Sequence, residues 1–212
     1  MYIAIEGVIG VGKTTLARLL QPALQAQLLL EVFEENPFLS DFYSDRERYA
    51  FQTQIFFLLS RYHQQHKAIP DVLKAEKLII SDYTFDKDAL FARINLRGDE
   101  LEMYYKVHEA LGEKIPQPDL VVYLCADTEV LMQRIAHRDR PYERSMERAY
   151  IDQLNQAYES FFTASHLKMN VLAIDTNNLN YISRQEDLAF VENRIHQSLK
   201  LPPFQESLPM AT

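Results

Sequence analysis

The 212-residue chain has no tryptophan, one cysteine, five glycines and no apolar run approaching the ~20 residues that a helix needs to cross a bilayer. Each scarcity excludes something. The lone Cys125 rules out an internal disulfide framework, and its place at the end of an apolar stretch makes it a small buried hydrophobe rather than a nucleophile. Basic residues are in deficit: 22 Lys and Arg against 30 Asp and Glu leave a formal charge of -8, the opposite of the excess with which nucleic-acid binders neutralise phosphates. Any phosphate site has to be local, and neither nucleic acid nor membrane is expected as a partner. No basic and then apolar leader opens the chain, so a cytoplasmic location is expected. Internal repeats and low-complexity tracts are also absent, and Pro202, Pro203 and Pro209 cannot continue a helix, which predicts a mobile tail from Leu201.

What is present describes an ordinary globular protein, 47% hydrophobic and 25% charged, of a length that suits one domain spanning residues 1–212. Short apolar runs recur at 2–5, 28–33, 78–80, 120–124 and 171–174. They are continuous rather than alternating, so the strands they predict are covered on both faces. Helical sequence separates them, near 14–27, 46–68, 86–95, 100–111, 128–137, 146–167 and 184–201. The expected class is α/β, a three-layer α/β/α sandwich around a five-stranded parallel sheet.

Directly after the first run stands Gly7-Val-Ile-Gly10-Val-Gly12-Lys13-Thr14-Thr15, which matches G-x-x-x-x-G-K-[ST] between a strand and a helix. Glycines let the backbone turn its N–H groups around phosphate oxygens, and the helix N-terminus adds dipole and unpaired donors. Lys13 supplies a point charge for the β- and γ-phosphates of ATP, and the Thr14 hydroxyl is placed to coordinate Mg²⁺. The motif predicts nucleotide binding and leaves kinase, GTPase and ATPase open.

Glu31 stands at the end of the second run, eighteen residues beyond Lys13, where a parallel sheet delivers it to the edge that carries the phosphate loop. A carboxylate there can accept a proton from an acceptor hydroxyl; Glu34 and Glu35 read as solvated loop charge.

From here the sequence resembles the deoxynucleoside kinase family over nearly its whole length, through motifs in order. Glu31-Val-Phe-Glu-Glu-Asn36-Pro37 is similar to the family's E-P-V segment, so the resemblance puts the general base on Glu31, with Val32 in place of the proline. Tyr43, Gln54 and Ser60-Arg61 follow at the family's spacing and imply a sugar-binding tyrosine, a base-reading glutamine and a nearby arginine. Gln52 competes with Gln54, and the ungapped spacing favours Gln54. Ser81-Asp82-Tyr83-Thr84 matches the family's acidic residue, with Asp82 implied as a Mg²⁺ ligand through water, but has Tyr83 where an arginine is usual; Lys87 is the candidate substitute. Phe91-Ala92 is similar to a base-stacking pair, with Asp86 or Asp88 near a base-contacting aspartate. Arg134-Ile-Ala-His-Arg138-Asp139-Arg140-Pro-Tyr-Glu143 resembles the family's lid, at about 138–145. It implies an arginine clamp from Arg134, Arg138 and Arg140, and a sugar-binding Glu143, with Asp139 where the lid glycine stands.

The implied activity is transfer of the ATP γ-phosphate to the 5′-hydroxyl of a deoxyribonucleoside, a purine or deoxycytidine, by a homodimer. The long apolar stretch 51–59 offers surface for such a dimer. A thymidylate or other nucleoside monophosphate kinase is the alternative, although its E-P-G-G type segment is missing; a GTPase would need an N-K-x-D that Asp175-Thr-Asn-Asn does not provide.

Overall fold

The computed structural model describes residues 1–164 and 169–200. The five runs become β1 (Tyr2–Glu6), β2 (Gln27–Leu29), β3 (Ile79–Ser81), β4 (Leu120–Cys125) and β5 (Val171–Asp175). All pair in parallel, in the order β2-β3-β1-β4-β5. Between them lie α1 (Lys13–Leu24), α2 (Leu39–Ser44), α3 (Arg46–Lys74), α4 (Lys87–Asn95), α5 (Gly98–Gly112), α6 (Thr128–Arg138), α7 (Arg148–Phe162) and α8 (Gln185–Ser198).

The three-layer sandwich follows from the period-two geometry of β1, whose five residues are all buried. Ile3 and Ile5 join the larger core cluster, with Leu16 and Leu20 of α1. Tyr2 and Ala4 point the other way, to a smaller cluster with Ile69 and Val72 of α3. From β1 the chain goes to one side for β2 and β3 and to the other for β4 and β5. A crevice over the C-terminal strand ends results, and it is there that the β1–α1 turn lies.

Three elements depart from expectation. The second run was expected to stay extended to residue 33, but β2 pairs with β3 only through Gln27, Leu28 and Leu29, and the chain then leaves the sheet edge for a 3₁₀ turn at Phe33–Glu35. Glu31 therefore lies two residues beyond the strand, on the connecting segment. Next, α2 forms where no helix was expected, too short for a periodic pattern, and Asp45 separates it from α3 by accepting a hydrogen bond from Arg48 N at 3.3 Å. Third, α3 continues through Pro70 to Lys74. A helical proline costs ~3 kcal/mol, whereas burying Ile69 and Val72 against Tyr2 and Ile79 is worth about 1.5–3 kcal/mol each, enough to hold the last turn. The expected end of the seventh helix at 167 and the expected mobile tail from Leu201 lie outside the described residues.

The stretch 51–59 is partly buried, with Phe51, Ile55, Phe56 and Phe57 half-buried. Thr53, Gln54 and Leu58 are buried, and Leu59 is its exposed large hydrophobe. No helix among the described residues is long and apolar enough to cross a membrane.

Candidate active site

The phosphate loop is shaped by backbone. Gly12, at φ 107°, caps α1 without a side-chain cap, and the first turn carries no acidic residue, so the N–H groups of that turn are open to an anion that no side chain of the turn repels. A side chain at Gly12 would collide with the Tyr181 hydroxyl, and one at Gly7 (φ 144°) with the Leu124 carbonyl. Lys13 Nζ donates to Gly7 O at 2.7 Å and Val8 O at 3.1 Å. Burial, then the charge of Lys87, pulls the Lys13 ammonium down to about 8, against the pull of Glu6, Glu31 and Asp82.

The Thr14 hydroxyl donates to the Asp82 carboxylate, whose other oxygen accepts from Glu31 N at 2.8 Å. A hydroxyl and a carboxylate side by side are hard oxygen donors, and no cluster of three or more His, Cys, Asp or Glu suited to a metal exists among the described residues. That donor set fits Mg²⁺, which completes its shell with phosphate oxygens and water rather than a protein cage.

Across from the loop is a cavity of about 110 Å³ whose lining includes Lys13, Glu31, Tyr43, Gln54, Asp82 and Glu143. Glu31 is held there from two sides. Arg61 donates to Oε1 through Nε at 3.1 Å and also through Nη2, and Lys87 Nζ donates to Oε2 at 2.6 Å. Arg61 also pairs with the fully buried Asp88. Burial alone would raise the Glu31 carboxyl, but the charges and hydrogen bonds of Arg61 and Lys87 outweigh it and hold it far below the usual carboxylate range. Gln54 and Phe91 line the same cavity, whereas Gln52 is exposed.

The segment after α6 closes the cavity. Arg138 grips the buried Glu143 with Nη2 at 2.7 Å from Oε1 and Nε at 3.1 Å from Oε2. Arg140 stands 3.6 Å from the same carboxylate and 4.2 Å over the Phe33 ring. Tyr43 stacks on Tyr142, with centroids 6.1 Å apart and planes 14° apart. Asp139 adopts the left-handed conformation that a glycine would take without strain (φ 50°), and Arg144 holds its carboxylate at 2.7 and 2.8 Å.

A family model described as deoxynucleoside kinase matches residues 3–200. The chain belongs to the deoxynucleoside kinase family. It is a phosphotransferase with ATP as donor and deoxynucleosides as acceptors. The deoxyguanosine kinase of Bacillus subtilis is 34% identical over 88% of this chain and 91% of its own length. A deoxyadenosine/deoxycytidine kinase from the same organism is 31% identical over 76% of each. The structure of a deoxyadenosine kinase from M. mycoides, with products dCMP and a flexible dCDP bound, matches with a TM-score of 0.81 at 26% identity, covering 93% of this chain and 100% of that one.

Other residues singled out in the kinase's sequence fall elsewhere. Arg134 lines a second groove, with Gly12 and Thr15, on the far side of the phosphate loop. Its guanidinium is committed to Thr176 O at 2.6 Å, Thr176 Oγ1 at 3.0 Å and Val11 O at 3.3 Å. Tyr83 turns away from the cavity, and its buried ring places the hydroxyl 2.6 Å from Gln64 Oε1. Asp86 is outside the cavity lining. Two structural partners of the site went unread in the sequence. Glu6, the last residue of β1, is fully buried and accepts from Gly7 N (3.2 Å), Thr84 N (2.6 Å) and Thr84 Oγ1 (2.8 Å), tying the phosphate loop to the segment after β3. A charged residue closing an otherwise apolar central strand was the signal. Tyr181 reaches Val11 O and Gly12 O, both at 3.4 Å, and no local pattern announced it.

Proposed function

We propose that this kinase phosphorylates the 5′-hydroxyl of purine deoxynucleosides, deoxyguanosine foremost, with Glu31 as general base. The observation that carries it is Glu31 itself: an ionised carboxylate held by Arg61 and Lys87 in a cavity that also reaches Lys13, Thr14 and Asp82. Its similarity to a deoxyguanosine kinase over most of both chains supports the choice of base.

The roles follow from chemistry. Gly7, Gly10, Gly12, Lys13, Thr14 and Thr15 wrap the donor phosphates. Thr14 and Asp82 would hold Mg²⁺, which would supply charge neutralisation for the donor phosphates. Tyr43 and Glu143 take the sugar 3′-hydroxyl, Gln54 and Arg61 face the base edge, and Phe91 stacks on it. Lys87 replaces the family arginine missing at Tyr83. The O5′–P bond forms as the bond from the γ-phosphorus to the bridging oxygen breaks, ADP leaves, and the hydroxyl proton passes to Glu31. A carboxylate so strongly stabilised is a weak base, which suffices for a loose transition state in which the proton moves late. Arg138 and Arg140, from a lid at 138–145, exchange Glu143 for the transferring oxygens. Arg134 is spent on Val11 and Thr176, so in this mechanism it positions the phosphate loop rather than joining the clamp.

The proposal includes a homodimer, cytoplasmic and serving nucleotide salvage. The groove between α4 and α7, lined by Leu90, Ile94, Ala157 and Phe161, offers an apolar face for a second copy, and light scattering gives the oligomeric state. The substrate reading is tested with ATP, Mg²⁺ and a panel of deoxyguanosine, deoxyadenosine, deoxycytidine, thymidine and dTMP. The expected result is the highest kcat/KM on deoxyguanosine; turnover of dTMP with no turnover of any nucleoside would replace it with the monophosphate kinase reading.

A further inference from the structure

Among the groups lining the acceptor cavity, the Thr53 hydroxyl stands out by having no hydrogen-bond partner among the described residues. Thr53 immediately precedes Gln54 on α3, is fully buried and lines the same cavity. Asn36 Nδ2 fixes its backbone carbonyl at 3.2 Å, while its Oγ1 has no hydrogen-bond partner among the described residues. Gln65 Oε1 and Tyr104 OH also have none, but those residues do not line the cavity.

A threonine inside a helix commonly bonds its hydroxyl to a carbonyl three or four residues back. Valine would fill the same space without desolvating a polar group. A hydroxyl retained without a partner beside a ligand cavity is accounted for by a partner that arrives with the ligand.

The Gln54 amide offers one donor edge and one acceptor edge to a base. Adenine presents two polar groups in a row on its Watson–Crick edge, the 6-amino group and N1. Guanine presents three: O6, N1–H and the 2-amino group. We propose that the Thr53 hydroxyl is a second base-reading group, completing with Gln54 a three-point match to guanine. It rests on the substrate reading proposed above and names the residue that sets preference between the purines.

The test compares wild-type protein, Thr53→Val and Thr53→Ser with deoxyguanosine and deoxyadenosine at saturating ATP, and records the thermal midpoint without ligands. Thr53→Val raises KM for deoxyguanosine about tenfold with kcat unchanged, shifts KM for deoxyadenosine by less than about twofold, and Thr53→Ser stays within about twofold on both. The ligand-free midpoint of Thr53→Val equals or exceeds that of wild type, because no internal bond is lost. An equal loss on both nucleosides, a larger loss on deoxyadenosine, or a lowered midpoint up to failure to fold would make Thr53 a structural residue and overturn the inference. Wild-type protein that turns over neither nucleoside would sink the substrate reading, and this inference with it.

Discussion

The phosphate loop takes its shape from consecutive backbone, glycines at positive φ with Tyr181 and Arg134 bonded to its carbonyls, whereas the acceptor cleft is held by charged side chains drawn from separate elements: Glu31 after β2, Arg61 on α3, Lys87 and Asp88 on α4. Backbone geometry leaves the loop's one charge, Lys13, resting on carbonyls and available to an incoming phosphate. Among those four cleft residues every charge is another's partner, so a substitution at one of them leaves a buried charge uncompensated. Loop changes should therefore cost activity with little stability, and cleft changes should cost both.

The largest effect that would sharpen this contrast is at Asp88. Asp88→Asn leaves part of the Arg61 charge without its counter-ion and is expected to lose about 3–5 kcal/mol, a fall in thermal midpoint on the order of 10 °C for a chain of this size. An unchanged midpoint would break the comparison.

Lys13→Met comes next. Losing the charge proposed to meet the γ-phosphate should lower kcat about 10²- to 10³-fold, while the midpoint at pH 7 stays or rises, since the buried ammonium is a cost to the fold. The sign follows from its lowered value: between about pH 8 and the ordinary lysine range the folded protein has shed a proton that the unfolded chain keeps, so wild-type stability rises with pH there, and Lys13→Met removes that rise. Over the same range kcat/KM for ATP falls in wild type as the free enzyme's Lys13 discharges.

A smaller, pH-dependent effect belongs to Lys87→Met. With one cation gone, the Glu31 carboxyl moves up toward its ordinary value, and the acid limb of kcat/KM moves up with it. Because the native carboxyl is depressed, its contribution to stability is full above the unfolded value and is lost as pH falls below it; Lys87→Met shrinks that contribution. An acid limb that stays where wild type has it would mean that Lys87 does not tune Glu31.

The same contrast explains what the sequence could disclose. The loop is legible because Gly7 to Thr15 are neighbours in the chain and their pattern is the structure. The sheet is legible because the buried strands β1, β3 and β4 write continuous apolar runs, and the less buried edge strands β2 and β5 still carry apolar stretches. Glu31 became a candidate through its place after the second apolar run, whereas Tyr43, Gln54 and Glu143 did so only through the family's spacing, and all four line one cavity. What sequence could not give were pairings across long separations: Glu6 with Thr84, Arg61 with Asp88, Arg134 with Thr176. Nor could local pattern foresee that β2 would leave the sheet after Leu29, since the run through Phe33 is as apolar as a strand and only the short pairing with β3 ends it.

The central claim is that a carboxylate bound by two cations is nonetheless the base. Glu31→Gln keeps the shape and removes the charge, so nucleoside binding by calorimetry and kcat by coupled assay should be measured on the same sample. The account predicts deoxyguanosine binding within about tenfold of wild type and a kcat lower by at least about 10²-fold. Binding retained with near-wild-type kcat would contradict it.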